Sequence, residues 1–296
     1  MHKIRIIKDK TASVTMTVLT VFSILFVAVM FVGLYMKSLP LLEGQSLWML
    51  LSASEWRPMK GQFGFFPFIM GTLWVTFVAI VLALPVSLLT AVFLTEYAKP
   101  VVKKFVFPAL DILAGLPSVI YGVWGVLVVV PWISQRVAPH FVEFSTGYTV
   151  LAGGIVLGVM IIPLLVSLFI EIFSGVSREL REASLALGAT RWQTTKRVVL
   201  RQTLPGLLAS TVLAISRAMG ETIAVLMVCG CVIGIPTGII DACYPIPALI
   251  ANNYGEMLSM PLYESALMFA ALILFVVVLV FNLASRVVLY RLEVKR

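Results

Sequence analysis

Within "SRAMGETIAVLMV", Ser216 to Val228, an arginine and a glutamate stand four residues apart in a stretch that otherwise reads as membrane interior. One charge at the centre of a bilayer costs about 2.5 to 3.5 kcal/mol on insertion scales, so an ionisable residue there points to a functional site unless it is paired. On a continuous helix Arg217 and Glu221 lie one turn apart on one face and can partly neutralise each other, which leaves a structural ion pair as the plain alternative. Arg before Glu is the less favourable order for such a pair, which argues against one that exists only to close on itself.

Other reactive side chains are sparse. Cys229, Cys231 and Cys243 are odd in number and two of them fall in an expected helix, so neither a disulfide framework nor a structural zinc site is expected, and no metal site. His2 and His140 fall on opposite sides of the membrane in the topology below and cannot join one site. The sequence has no Gly-x4-Gly-Lys-Ser/Thr phosphate loop, so nucleotide energy would have to come from another chain. In "DILAGLPSVIYGVWG", Gly115, Pro117, Gly122 and Gly125 suit close helix packing, while Ser118 and Tyr121 open the alternative of a polar cavity lining. Gly154 and Gly158 read as packing residues.

These residues must be held by an all-α, polytopic membrane protein. Of 296 residues, 60% are hydrophobic and 12% charged, and the mean hydropathy is +1.05. About 20 apolar residues cross the hydrocarbon core as a helix. Six candidates reach that length: 14–36, 67–95, 107–131, 148–175, 204–233 and 262–290. The first follows a basic start but is too long for a signal peptide and lacks a cleavage site, so a retained helix is expected. Apart from Lys37, Arg57, Lys60, Arg136 and Arg217, every Lys and Arg falls in 1–13, 96–106, 171–203 or 286–296. By the positive-inside rule both termini and the 171–203 loop are then cytoplasmic. The layout is a cytoplasmic tail, 1–13, and a six-helix domain, 14–296. The segments 37–66 and 234–261 fall outside, the first rich in interfacial Trp and Phe and the second a proline-rich cap, gate, docking surface or plain connector. Pro85 and Pro163 read as kinks, and no internal duplication is visible.

The cytoplasmic loop 176–203 carries strong local signals. Ser177 can cap a helix with Glu179 in its first turn, and Leu180, Ala183, Ser184 and Leu187 share one face. Gly188 ends that helix, Thr190 and Gln193 form a capping box for a second, and Pro205 suits the start of the next span. Such an element can hold lipid headgroups or insert into a groove on a cytoplasmic partner; a DNA-binding role fits poorly, because both ends are tied to the membrane.

Here the residues resemble a known family. Membrane subunits of ATP-binding-cassette importers carry Glu-Ala-Ala, three residues, Gly, nine residues, then Ile-x-Leu-Pro in this loop. Glu182, Ala183, Ser184, Gly188, Val198 and Leu200 fall on that spacing, with Ser184 in place of the second Ala and Arg201 in place of Pro. The blocks "EWRPMKGQFGFFPFIMGTL", "LAGLPSVIYGVWG", "SRAMGETIAVLMV", "IANNYGE" and "YESALMFAALILF" are similar to the phosphate-specific permeases, to their PstC type more than their PstA type. The resemblance implies a type I importer permease fold in the cell inner membrane and a transport subunit that is not itself an enzyme. Residues 178–195, with Glu182, Ala183, Ser184 and Gly188, would dock into the ATPase. The implied partners are a PstA-type permease, an ATPase dimer that binds ATP and Mg, an external phosphate-binding protein and the lipid bilayer, with no nucleic acid and no cofactor in this chain. Arg217 would attract the oxyanion, Glu221 would moderate affinity and favour a protonated anion, and Ser118 and Tyr121 would line the path.

Three alternatives stay open: a permease for molybdate, sulfate or phosphonate; a membrane enzyme acting on lipid phosphates, which would need clustered Asp, Asn or His that Asp111 alone does not supply; and a non-transporting sensory scaffold.

Overall fold

The computed structural model describes residues 2–255 and 261–294, and within them it is helical apart from one short hairpin and the connecting loops. Residues 256–260 of the expected cap and the last two of the basic C-terminal segment lie outside the described residues. Helix α1 runs His2–Gly44, so residues 2–13 of the expected tail are continuous with the first span. A short α2, Leu47–Ser52, leads into the antiparallel pair β1, Trp56–Arg57, and β2, Gln62–Phe63. Helix α3, Phe66–Val92, continues through one wide turn to Tyr97, and α4 follows at Pro100–Gly115. Helix α5, Ser118–Trp124, continues through wide turns and the short α6, Val130–Trp132, as far as His140. Helix α7 is Val150–Ser174, α8 Arg178–Ala186, α9 Arg191–Thr194, α10 Leu200–Met219, α11 Ile223–Val228, α12 Ile246–Asn253 and α13 Pro261–Val294.

Among the described residues six helices are long and apolar enough to cross a membrane, as the composition requires: Lys10–Gly44, Phe66–Tyr97, Ser118–His140, Val150–Ser174, Arg191–Met219 and Leu262–Ala284. Two differ instructively from the sequence expectation. The third is broken, because Pro117 lacks an N–H and holds Leu116 in extended backbone, so α4 is a separate helix in front of it. The fifth starts at Arg191 rather than near Pro205, since α9 winds through one wide turn directly into α10, and it stops at Met219 instead of running on to 233.

The core is the crossing of α3 and α7. A Cβ on Gly154 would come within 2.3 Å of Val78 Cγ1, and one on Gly158 within 3.2 Å of the Ala79 carbonyl, so the two glycines allow the backbones to approach. At one end of the bundle Trp56 sits edge-on to Phe63, Phe65, Phe68 and Tyr263, with centroids 5.0 to 5.9 Å apart. This cluster ties the hairpin to α3 and α13, and Lys37 joins α1 to α13 by an ion pair of 3.0 Å with Glu264.

The loop from Gly230 to Pro245 closes the same end. Asp241 Oδ2 accepts from the Thr237 hydroxyl at 2.7 Å and from the Thr237 and Gly238 amides at 2.8 and 2.9 Å, which hold its carboxyl below the usual range. The Ile239 and Asp241 carbonyls take the Leu151 and Val150 amides at the start of α7. All three thiols are free; Cys229 and Cys231 follow α11 rather than lying in it, and Cys231 has a φ of 52°. The opposite, basic end carries α8, α9 and the lysines of α4.

Candidate functional site

Helix α10 ends at Gly220, where the Gly220 and Glu221 amides return to the Arg217 and Ala218 carbonyls at 3.2 Å each. Arg217 therefore lies in the last turn, where the negative end of the helix dipole favours a cation. Glu221 lies beyond the break, and its Oε1 accepts from the Ala224 amide at 3.3 Å at the start of α11. The expected one-turn pairing on a single helix face does not occur, because glycine ends the helix between the two charges and each is served by a different helix end. Among the described residues no ion pair involves Arg217, which is exposed on the outside of this chain, while Glu221 is half-buried. Asn282 Nδ2 donates to Ser216 Oγ at 2.9 Å and so holds the last turn of α10 against α13.

The second break lies beside the first. Tyr121 is buried and its hydroxyl donates at 2.7 Å to the Leu113 carbonyl, which also takes the Leu116 amide at 3.3 Å where α4 ends. Its hydroxyl is thus committed to bridging the break. Ser118 is half-buried and opens α5. A Cβ on Gly122 would meet Ala224 Cα at 3.3 Å and Met227 Sδ at 2.6 Å, so α5 and α11 lie in contact and run the same way. Four residues back along each, Ser118 is level with Gly220. Gly125 lies against Val156, near the start of α7. Seven residues at about 1.5 Å rise then place Ser118 roughly 10 Å deeper, near the middle of the span. Two discontinuous helices meeting at mid-depth are tolerated in a membrane only inside protein or beside a water-filled cavity.

The single chain does not enclose an anion there. The crevice beside Glu221, lined by Thr72, Thr76, Leu157, Ala218 and Val225, has a volume of about 10 Å³, room for at most one water. Thr72 is occupied, donating to the Phe68 carbonyl at 2.8 Å and accepting from the Ile246 amide at 2.9 Å. The sequence reading passed over these two threonines; their four-residue spacing in an apolar span was the available signal. Arg217 faces outward, so any cavity it serves must be completed by another surface.

At the basic end the local sequence signals materialise. Ser177 Oγ accepts from the Leu180 amide at 3.4 Å. Gly188 has a φ of +85°, and Thr190 and Gln193 exchange both capping-box bonds at 3.2 and 2.9 Å. Glu182 is exposed and pairs with Arg178 at 2.7 Å. Of the expected shared face, Leu180 and Ala183 are exposed and Leu187 is 90% exposed; Leu180 borders a crevice with Ile172, Val176, Pro205 and Gly206, whereas Leu185, Leu187 and Trp192 are exposed apolar side chains on either side of the glycine turn. Ser184 instead turns inward and hydrogen-bonds Thr194 Oγ1 at 2.9 Å, joining α8 to α9. Ser184→Ala should remove about 1 kcal/mol of local stability and speed amide exchange over 189–195 about fivefold. Unchanged exchange there would show that the hydroxyl pair does not hold the turn.

Arg181 and Glu96 were not anticipated. Arg181 donates to Glu96 Oε1 at 2.9 and 3.2 Å, to the Phe173 carbonyl at 2.7 Å and to the Val176 carbonyl.

Comparison with known proteins gives consistent matches. The family described as binding-protein-dependent transport system inner membrane component matches residues 83–294, which include both helix breaks and the α8–α9 loop. The phosphate transport system permease protein PstC of Xylella fastidiosa is 34% identical over 257 residues, covering 82% of this chain and 79% of the relative. The probable phosphate transport system permease protein PstC of Methanocaldococcus jannaschii is 32% identical over 291 residues, covering 93% and 91%. Among solved structures, the MetNI methionine ABC transporter in an inward facing conformation matches with a TM-score of 0.59 and 21% identity over 75% of this chain and 93% of that one, a likeness of fold.

Proposed function

Since the chain belongs to the binding-protein-dependent transport system inner membrane components, we propose that it is a subunit through which an ATP-driven importer passes inorganic phosphate. It is a multi-pass inner membrane protein with the type I ABC importer permease fold, a transport subunit and not an enzyme; ATP is hydrolysed by a separate chain. The observation that carries the reading is Arg217, a guanidinium exposed near mid-membrane at one of two adjoining helix breaks, without an ion pair among the described residues. A guanidinium presents a rigid fork of donors matched to tetrahedral oxyanions and stays charged at any relevant pH. Because that fork faces out of the chain, the path is completed by a second, PstA-type permease subunit.

Glu221 has a separate task. Anchored on the start of α11, it sets a negative charge beside the anion path, weakens capture enough for release and accepts a hydrogen bond from the hydroxyl that phosphate still carries at neutral pH. Ser118, level with the break, adds a hydroxyl, while Tyr121 fixes the shape of the break from behind. Both termini and the α8–α9 loop face the cytoplasm, where the exposed apolar surface around Gly188 docks into an ATPase dimer that binds ATP and Mg. The aromatic and proline-rich end faces a phosphate-binding protein outside. ATPase closure pulls on α8 and α9 and shifts the population toward the outward-open arrangement.

The test is co-purification of the whole assembly followed by uptake in proteoliposomes. Labelled phosphate should enter only with ATP and the binding protein, and excess sulfate, molybdate or phosphonate should leave uptake unchanged. Uptake abolished by one of those anions would move the substrate to that oxyanion, and turnover of a lipid phosphate without any ATPase would overturn the transport reading.

A further inference from the structure

Helix α8 is only nine residues long and most of its surface faces outward, so its hold on the membrane spans rests on few groups. Among the described residues Arg181 is the one side chain of α8 that hydrogen-bonds to α3 or α7 or to the turns that end them. Its Nε and Nη2 reach one oxygen of Glu96, in the wide turn that ends the α3 span, and Nη2 and Nη1 reach the Phe173 and Val176 carbonyls at the end of α7. The side chains of Arg181 and Glu96 are only 21% and 14% exposed. A pair this sheltered is screened far less than a surface pair, and removing one partner leaves a charge stranded. The carbonyls add direction, because the C-terminal end of α7 carries negative partial charge that a cation completes.

We infer that Arg181 is the pin that carries displacement of α8 into α3 and α7, with Glu96 as its socket. The two helices it grips are the ones that cross at Val78 and Gly154, and residues of both, Thr72, Thr76 and Leu157, line the crevice beside Glu221. Movement of the docking helix therefore reaches the break in the fifth span through this close-packed pair, in addition to the continuous run of α9 into α10. Arg181 is a positioning residue: it touches neither anion nor nucleotide. The inference rests on the proposed docking of α8 into an ATPase, but not on which oxyanion is carried.

The experiment measures anions transported per ATP hydrolysed in the reconstituted assembly. Arg181→Glu and Glu96→Arg should each lower that ratio at least about fivefold, within the range by which residues in coupling networks act, with ATP hydrolysis retained. The double swap Arg181→Glu/Glu96→Arg should recover a substantial part of it. Arg181→Lys, which keeps the charge but loses the fork, should fall in between. Normal ratios in the single variants, no recovery in the swap, or a parallel fall of transport and hydrolysis that leaves the ratio unchanged would each overturn the inference. If the reversals fail to assemble, Glu96→Gln decides it: a lowered ratio supports the pin and a normal one refutes it. A wild-type assembly that hydrolyses ATP but moves no phosphate would overturn the phosphate reading instead, and the ratio would then be measured with the anion that is moved.

Discussion

Arg217→Ala should lower ATP-driven phosphate uptake about a hundredfold while the assembly still forms. The magnitude follows from losing roughly 3 kcal/mol of charge-assisted hydrogen bonding to the anion. The sign of the stability effect separates this from misfolding. Arg217 makes no ion pair among the described residues, so its removal strands no partner, and deleting a charge from mid-membrane relieves an insertion penalty of about 2.5 to 3.5 kcal/mol. The variant should therefore melt no earlier than the parent. Arg217→Lys keeps a point charge without the planar fork and should retain an intermediate rate. Glu221→Gln is the companion experiment. Glutamine still offers an oxygen to the Ala224 amide, so the start of α11 survives and only the charge is lost. Slower release and weaker discrimination among oxyanions are expected; unchanged uptake and discrimination would remove the selective role of Glu221. Parent-like uptake by Arg217→Ala, measured at equal protein in the membrane, would take Arg217 off the path.

Gly188→Asp and Glu182→Lys should each abolish uptake and release the ATPase on purification, with this subunit still in the membrane at parent levels. Within the chain these changes are mild. A Cβ at Gly188 meets no atom within 4 Å, so the only internal penalty is the left-handed backbone at φ +85°, about 1 to 2 kcal/mol for a residue with a side chain. Aspartate is among the residues that tolerate this region best. Glu182 is exposed, and its ion pair with Arg178 is of the kind worth at most about 1 kcal/mol. A total loss of function from two small internal effects has to come from a surface these residues share with a partner, and Leu187 projecting beside Gly188 marks where that surface is. Subunits that keep both the ATPase and transport after these changes would place docking elsewhere.

What the sequence determined by itself is what depends on composition or on neighbours within one helical turn. Six spans follow from the length of apolar runs, since hydrocarbon thickness sets how many residues a crossing helix needs. Ser177, Gly188 and the Thr190–Gln193 box end up in the roles their spacing announces, because a cap is closed by residues three positions apart. The family motif pointed to the loop and to Glu182 and Gly188. It could not say that Ser184, its departure from the motif, bonds Thr194.

Tertiary structure alone decided the rest, and the reason is sequence distance. Arg181 and Glu96 are 85 positions apart, and no local pattern brings a guanidinium on a short helix to a carboxylate at the end of another span. Arg217 and Glu221 are close in sequence yet separated by a helix end, because Gly220 stops α10 where α11 can begin against α5. Spacing alone read them as one pair on one face. Packing made them two charges on two helix ends, at the depth where two broken helices meet, with the arginine turned outward from the chain.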